Sequence, residues 1–390
     1  MEIVSGSKLQ KIFHDHWASI YPKHKNKIRP AIIDNVTKML ACRSNNMGFH
    51  QYTCPQCNYT VIVHHSCKSR FCSSCGKKAT DNWIAKNSRI LPTTTWQHIT
   101  FTMPSQFWEF FWLNRHLFGF IPAIAANTII SIAKKKNVIP GIFLAIHTFS
   151  RDADRNVHIH LSATNGGISK NLKRWIPIFY HHQIIKSMWK YSIVKLFREQ
   201  YQKGLLKLPK ELNHIKDYKA FNSWLNIYYN KKWVVHLQKS SNNHRTNIDY
   251  IGKYLKRPPI GETRIKNYDG NSVTFEYLDH YDRIKKTMTL SAQEFITRLI
   301  SHIHDRYFRI IRYFGFLANR VRAKLLPIVY GFFAIVPTIK NPFSWRDLII
   351  ISMHYDPLLC PNCHNHLQLS NMVFTKNNFQ LLRETIINKK

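Results

Sequence analysis

The stretch LAIHTFSRDADRNVHIHLSATNGG, residues 144–167, decides the reading of this chain. Residues 142–149 and 157–163 are rich in β-formers, and the polar Ser-Arg-Asp-Ala-Asp-Arg-Asn run between them has turn chemistry. The pattern predicts two strands folded back on each other around 152–156. Alternate residues of a strand face the same side, so His158 and His160 project together while Ile159 points away. The fold-back brings His147 beside them. Three imidazoles on one sheet face supply half of a coordination sphere and leave positions open for a substrate.

About ninety residues downstream, NIDYIGKYLKRPPI (247–260) predicts a short helix. Asn247 is a good N-cap, and Pro258 and Pro259 stop the helix. Tyr250 and Tyr254, four apart, share one face of it, with Ile251 and Leu255 beside them as an apolar anchor. A metal and a phenol together can cut a phosphodiester while conserving its bond energy. The metal polarises the phosphate, the tyrosine attacks phosphorus, a 3′-hydroxyl leaves and the 5′ end stays on the protein. A second tyrosine permits a second cleavage while the first is occupied. An HxH pair alone is weak in a chain with 22 histidines, and tyrosines at i and i+4 are commonly a packed face. The conjunction of the two carries the argument.

On these residues the chain resembles the HUH (His-hydrophobe-His) transposases, specifically the two-tyrosine insertion-sequence transposases that move by a rolling circle. The resemblance runs through HHSCKSRFCSSCGKK (64–78), the HTF and HIHLSATNGG segments, YIGKYLKRPPIGETRI (250–265), and the downstream VTFEYLDH, MTLSAQEFITRLISHI and RYFRIIRYFGFLANR segments. His158 and His160 match the family's metal-binding pair, Tyr250 and Tyr254 its catalytic tyrosines, and His147 fits the third ligand by position. Val157 stands where the family pattern has proline. The resemblance implies Mg²⁺ or Mn²⁺ as the catalytic ion, although imidazoles alone favour a softer metal. It also implies single-stranded DNA at transposon ends and target DNA as partners. A plasmid replication initiator, a conjugative relaxase or an inactive DNA-binding protein are the alternatives; the zinc module and the block after residue 266 favour the transposase. The spacing does not say which tyrosine acts first.

Charge agrees with a polyanionic partner. Fifty-seven Lys and Arg against 21 Asp and Glu leave a net charge of +36, which attracts polyphosphate and makes binding salt-dependent. Aromatics interleave with these cations in NLKRW (171–175), KSMWKY (186–191), KKWVVH (231–236) and RYFRIIRYFGF (306–316), a composition suited to stacking bases while cations follow the backbone. In the last run Arg306, Arg309 and Arg312 recur in threes, which predicts an amphipathic helix with a basic, phosphate-facing side. A phenol's unperturbed pKa is ~10, so either the metal or nearby cations such as Lys253, Lys256 or Arg257 must stabilise a phenolate. Asp152 and Asp154 read as turn residues.

The eight cysteines read as metal ligands rather than disulfides. Cys54-x2-Cys57 and Cys72-x2-Cys75 together predict one tetrahedral Zn²⁺ site. Cys42 and Cys67, with two of His50, His64 and His65 (His50 and His65 foremost), make a candidate second site. Cys360 and Cys363 form a single C-terminal knuckle near His354, His364 and His366. Lys68, Arg70, Lys77 and Lys78 surround the N-terminal knuckles.

The expected fold class is α+β: a nuclease core with an antiparallel central sheet and covering helices, an N-terminal zinc-binding module and a basic helical C-terminal region. The expected divisions are 1–90 for a helical start and the zinc module, 91–265 for the core, 266–345 for a basic β and helical region, and 346–390 for a tail bearing the knuckle. No continuous apolar run reaches the ~18 residues of a membrane span; 325–336 comes nearest and is broken by Pro327. The chain is therefore expected to be intracellular, and the resemblance implies a cytoplasmic, DNA-associated bacterial protein.

Overall fold

The computed structural model describes residues 7–238, 259–279, 282, 284–335 and 344–374. Tyr250, Tyr254, Lys253, Lys256 and Arg257 lie outside the described residues.

The chain opens with α1 (Lys8–His24), capped by the Ser7 hydroxyl accepting from Gln10 N, and α2 (Pro30–Leu40), which starts on a proline suited to the first helical turn. A hairpin of β1 (Phe49–Thr53) and β2 (Thr60–His64) follows, then α3 (Ser73–Ile90). The central region contains β3 (Trp96–Phe101), α4 (Trp108–Leu113), α5 (Ile121–Lys135), β4 (Val138–Phe149), β5 (Arg155–Ser169), β6 (Trp175–Pro177), α6 (His182–Gln202), α7 (Tyr218–Tyr229) and β7 (Val235–Leu237). After it come β8 (Ile265–Tyr268), β9 (Ser272–Leu278), β10 (Lys285–Ser291), α8 (Ala292–Ser301), β11 (Ile311–Gly315), α9 (Arg322–Phe332), α10 (Trp345–Met353) and β12 (Gln368–Val373).

Six strands make the central antiparallel sheet, in the order β11-β4-β5-β3-β7 with β6 beside β5. Strand alternation sorts its two faces. Ile142, Leu144, Ile146, Val157, Ile159 and Leu161 point to one side and pack with Phe107, Phe110, Ile129, Trp189, Phe197 and Phe221 of the covering helices. Each of these fully buried apolar side chains stabilises the fold by roughly 1.5–3 kcal/mol. Phe143, Ala145 and Trp96 point to the other side, where Trp83 of α3 and Leu325, Leu326 and Val329 of α9 cover them. That second face also carries the histidines, of which His147 and His160 are buried.

The mixed α/β architecture with an antiparallel central sheet agrees with the sequence expectation. Three local readings change. The run 306–316 is not a helix: Ile311–Gly315 is an edge strand paired with Gly141–Ala145 of β4. Its β-branched and aromatic residues satisfy the open edge of β4, and this outweighs the helical spacing of its arginines. The apolar segment nearest a membrane span by length and composition is Arg115–Lys135, not 325–336, and Ile121, Ala125, Ala126, Ile129 and Ala133 within it are buried in the sheet core. Pro327, read as breaking the 325–336 run, lies inside α9.

The remaining elements close the chain on itself. β8, β9 and β10 form a three-stranded sheet whose Val273 and Phe275, with Phe295, Ile296 and Leu299 of α8, share a core with Leu9, Phe13, Trp17 and Phe71. β12 pairs antiparallel with β1, so residues near 370 complete a sheet begun near 50.

Candidate active site and metal centres

In the β4–β5 hairpin His147 stands directly opposite His158. His160 lies two residues on, so all three share a face, and their ligand atoms fall within 4.8 Å of one another. Ring centroids are 5.2 Å apart for His147 and His158, 4.7 Å for His147 and His160, and 4.9 Å for His158 and His160. The turn is held as its composition suggested: the Asp152 carboxylate accepts from Ser150 Oγ and from Asp154 N.

Hydrogen bonds set the imidazole tautomers. His158 Nδ1 lies 3.0 Å from the Asn156 carbonyl; donating there puts its lone pair on Nε2. His160 Nδ1 lies 3.3 Å from His98 Nε2 and 3.4 Å from Thr100 Oγ1, and His98 Nδ1 lies 3.3 Å from Ser162 Oγ. The His98 and His160 rings are stacked, with planes 11° apart. This is the outer-shell arrangement that orients metal-binding imidazoles. Burial, followed by the nearby charges of His147, His158 and His98, holds His160 well below the ordinary imidazole value. Burial, and then His236, brings His98 to about 4. At neutral pH both rings are uncharged, the state a metal ligand requires.

Two residues of this face were not singled out by the sequence reading. His98 stands opposite Ser162, and His236 stands opposite Thr100, which is itself opposite His160. The signal was available in β3, where Trp96, His98 and Thr100 alternate with Gln97, Ile99 and Phe101. Behind the hairpin, buried His302 has Nδ1 3.2 Å from Thr148 Oγ1 and Nε2 3.0 Å from the Ala153 carbonyl. It braces the turn between the ligand strands.

The cysteines form two groups of four, sorted differently from the sequence expectation. Cys72 and Cys75 meet Cys42 and Cys67, while Cys54 and Cys57 meet Cys360 and Cys363. The two N-terminal knuckles do not face each other: β2 and the 65–71 segment carry the second away from the first. Sγ distances in the first group are 3.6 Å for Cys42 and Cys75, 3.6 Å for Cys67 and Cys75, and 3.8 Å for Cys42 and Cys72. Cys42 Sγ accepts from Cys67 N at 3.3 Å, and Cys67 Sγ from Ser69 N at 3.4 Å. Hydrogen bonds from Cys42, Cys67 and Cys72 hold the Cys75 thiol far below its ordinary value, while sharing with Cys42 pushes Cys67 up. A cation among them would favour the thiolate at all four sulfurs. His50 and His65 instead pair with each other, Nδ1 to Nε2 at 2.8 Å, and join no ligand group among the described residues.

Of the basic candidates, Arg306 is paired with Asp34, its Nε 2.6 Å from Oδ2. Arg312 donates to the Gly119 carbonyl at 3.1 Å and lies over the Phe308 ring. Arg309 is exposed on the same segment.

Residues 141–324 match the family described as a putative transposase, and residues 12–103 match the transposase zinc-binding domain. The chain is 35% identical to the transposase for insertion sequence element IS801 of Pseudomonas savastanoi pv. phaseolicola over 353 residues, spanning 89% of this chain and 85% of that protein. It is 26% identical over 390 residues to the putative transposase y4qJ of Sinorhizobium fredii, spanning 95% of this chain and 96% of that one. No solved structure matches. The chain belongs to the two-tyrosine HUH transposases of insertion sequences that carry an N-terminal zinc-binding domain.

Proposed function

We propose that this transposase cleaves and rejoins single-stranded DNA at the ends of its insertion sequence and at target DNA, through a 5′-phosphotyrosine. The convergence of His147, His158 and His160 on one sheet face, with His147 and His160 buried, carries the reading. These imidazoles would hold one Mg²⁺ or Mn²⁺, which when bound supplies Lewis-acid polarisation of the scissile phosphate. Tyr250 or Tyr254 attacks phosphorus. The new bond joins the phenolic oxygen to phosphorus, the bond to the 3′ oxygen breaks, and the proton lost by the phenol is balanced by the one the 3′ oxygen gains. Attack by a later 3′-hydroxyl reverses the step and joins the strand. Lys253, Lys256 and Arg257 favour the phenolate. His98 keeps His160 neutral and oriented, and the net charge of +36 draws in the nucleic acid. Arg309, with Arg306 and Arg312 beside it, is a candidate phosphate contact. Cys42, Cys67, Cys72 and Cys75 hold a structural Zn²⁺, and the enzyme works on DNA in the bacterial cytoplasm.

The test is cleavage of labelled single-stranded DNA bearing the element's own end, with Mg²⁺ or Mn²⁺, by wild type, Tyr250→Phe, Tyr254→Phe and the double mutant. A covalent protein–DNA adduct that vanishes in the double mutant is expected. Tight DNA binding by wild type with metal present and no adduct would overturn the reading.

A further inference from the structure

Two knuckles with the same local structure meet across almost the whole length of the chain. Cys54-Pro-Gln-Cys57 is followed by Asn58, and Cys360-Pro-Asn-Cys363 by His364. Asn58 and His364 both take the left-handed conformation at φ 57°. Asn58 N donates to the Cys54 carbonyl at 3.0 Å, and His364 N to the Cys360 carbonyl at 2.9 Å. Cys54 N donates to the Tyr59 carbonyl at 2.8 Å, and Cys360 N to the Asn365 carbonyl at 2.9 Å. The backbone makes one loop twice, and in each it presents two sulfurs.

The sulfurs face one another. Cys54 Sγ lies 3.4 Å from Cys363 Sγ, Cys57 Sγ lies 3.5 Å from Cys360 Sγ, and Cys363 Sγ lies 3.6 Å from Cys57 Sγ. A tetrahedron with Zn–S bonds of ~2.3 Å has S···S edges of about 3.8 Å, whereas a disulfide would need ~2.05 Å.

We propose that Cys54, Cys57, Cys360 and Cys363 form a second structural zinc site, one that fastens the C-terminal segment to the N-terminal module. Two of its four ligands lie beyond the part of the chain, 12–103, that matches the zinc-binding domain. Packing alone gives little support here. The buried residues of this small core are Tyr52, Cys54, Cys360 and Leu367, and nearly every residue of β12 is exposed. A sheet so poor in core needs a staple. The metal would fix the register of β12 on β1 and, through the Arg346–Asp356 pair and Trp345 beside Tyr52, the placement of α10.

The test compares zinc content per chain, in reducing buffer, for the full-length protein and three variants. Cys54→Ser/Cys57→Ser should lose one equivalent, and Cys360→Ser/Cys363→Ser should lose one. The quadruple variant should also lose one, not two, because all four sulfurs share an ion. An unchanged zinc content in Cys360→Ser/Cys363→Ser, or a loss of two in the quadruple variant, overturns the proposal. Wild-type protein gives a second measurement that needs no variant to fold. With zinc bound, these four thiols should resist alkylation together, and a chelator should expose them together. Immediate alkylation of Cys360 and Cys363 while Cys54 and Cys57 stay protected would overturn it as well.

Discussion

The histidine cluster and the cysteine clusters each bring together groups that could hold a metal, yet the fold holds them in opposite ways. His147, His158 and His160 stand on two long paired strands at the centre of a sheet, backed by the largest core of the molecule. The protein positions those imidazoles without help. Cys54, Cys57, Cys360 and Cys363 stand on short loops with almost no apolar backing, and Cys42, Cys67, Cys72 and Cys75 lie between these extremes, sharing a core with α1, α2 and α8. A preorganised site places a metal where chemistry needs it. A site assembled from loops uses its metal to hold the loops.

The largest expected effect of this difference comes from removing metal. Structural zinc in small domains is worth an apparent ~10–16 kcal/mol at neutral pH. A chelator in reducing buffer should therefore erase hydrogen-exchange protection in β1, β2 and β12, while β4 and β5 keep theirs. Loss of protection in both regions at one rate would show that the two kinds of site are not independent.

The converse perturbation breaks the sheet without touching a sulfur. Gly315 ends β11 at φ 60°, and a Cβ there would overlap the Pro140 carbonyl oxygen. Gly315→Ala should cost about 2–4 kcal/mol from strain and overlap together, measured by denaturant melts, with zinc content unchanged. A loss below ~0.5 kcal/mol, the range of an ordinary surface change, would mean that β11 is not fastened to β4 as described.

Much of the histidine site was legible because its information is local. Period-two alternation and a polar turn lie within some twenty residues, so strand geometry alone puts three imidazoles together. His98 was less legible because it belongs to a strand whose pairing with β5 is set by tertiary structure. The 306–316 segment misled for a related reason. Its arginines recur in threes as on a helix, but Arg306 is taken up by Asp34 and the residues after it by the edge of β4. For the cysteines, nearness in sequence was the wrong guide, since each N-terminal knuckle closes with residues outside the other. The repeated Cys-Pro-x-Cys pattern, each followed by a residue tolerant of left-handed backbone, was the clue that matched Cys54 and Cys57 with Cys360 and Cys363.

His98 tests how far the sheet's preorganisation extends beyond the ligands themselves. Removing an outer-shell partner usually weakens metal binding by about 10–100-fold. His98→Ala should weaken Mn²⁺ binding by that amount, and His98→Gln should recover part of it through the amide's hydrogen bond to His160 Nδ1. Zinc content should not move, and His98→Gln, which keeps most of the side chain's bulk, should melt closer to wild type than His98→Ala. Equal Mn²⁺ affinity in wild type and His98→Ala, followed by titration calorimetry, would remove His98 from the site.

The smallest expected effect concerns His302, which braces the ligand hairpin from behind. Burial, offset in part by its hydrogen bond with the Ala153 carbonyl, brings its pKa from 6.5 to about 4. Between those values the unfolded chain binds a proton that the folded chain does not, so stability is intact above about pH 6.5 and is lost as pH falls towards 4. By pH 5 the loss from this residue is roughly 1–2 kcal/mol. His302→Gln keeps a donor and an acceptor but cannot titrate, so its stability should fall less between pH 7 and pH 5 than that of wild type. Because His98 and His160 are depressed in the same direction, the variant should flatten the pH dependence without abolishing it. Parallel pH profiles for the two proteins would mean that His302 titrates alike in the folded and unfolded chain, so that burial does not hold it neutral.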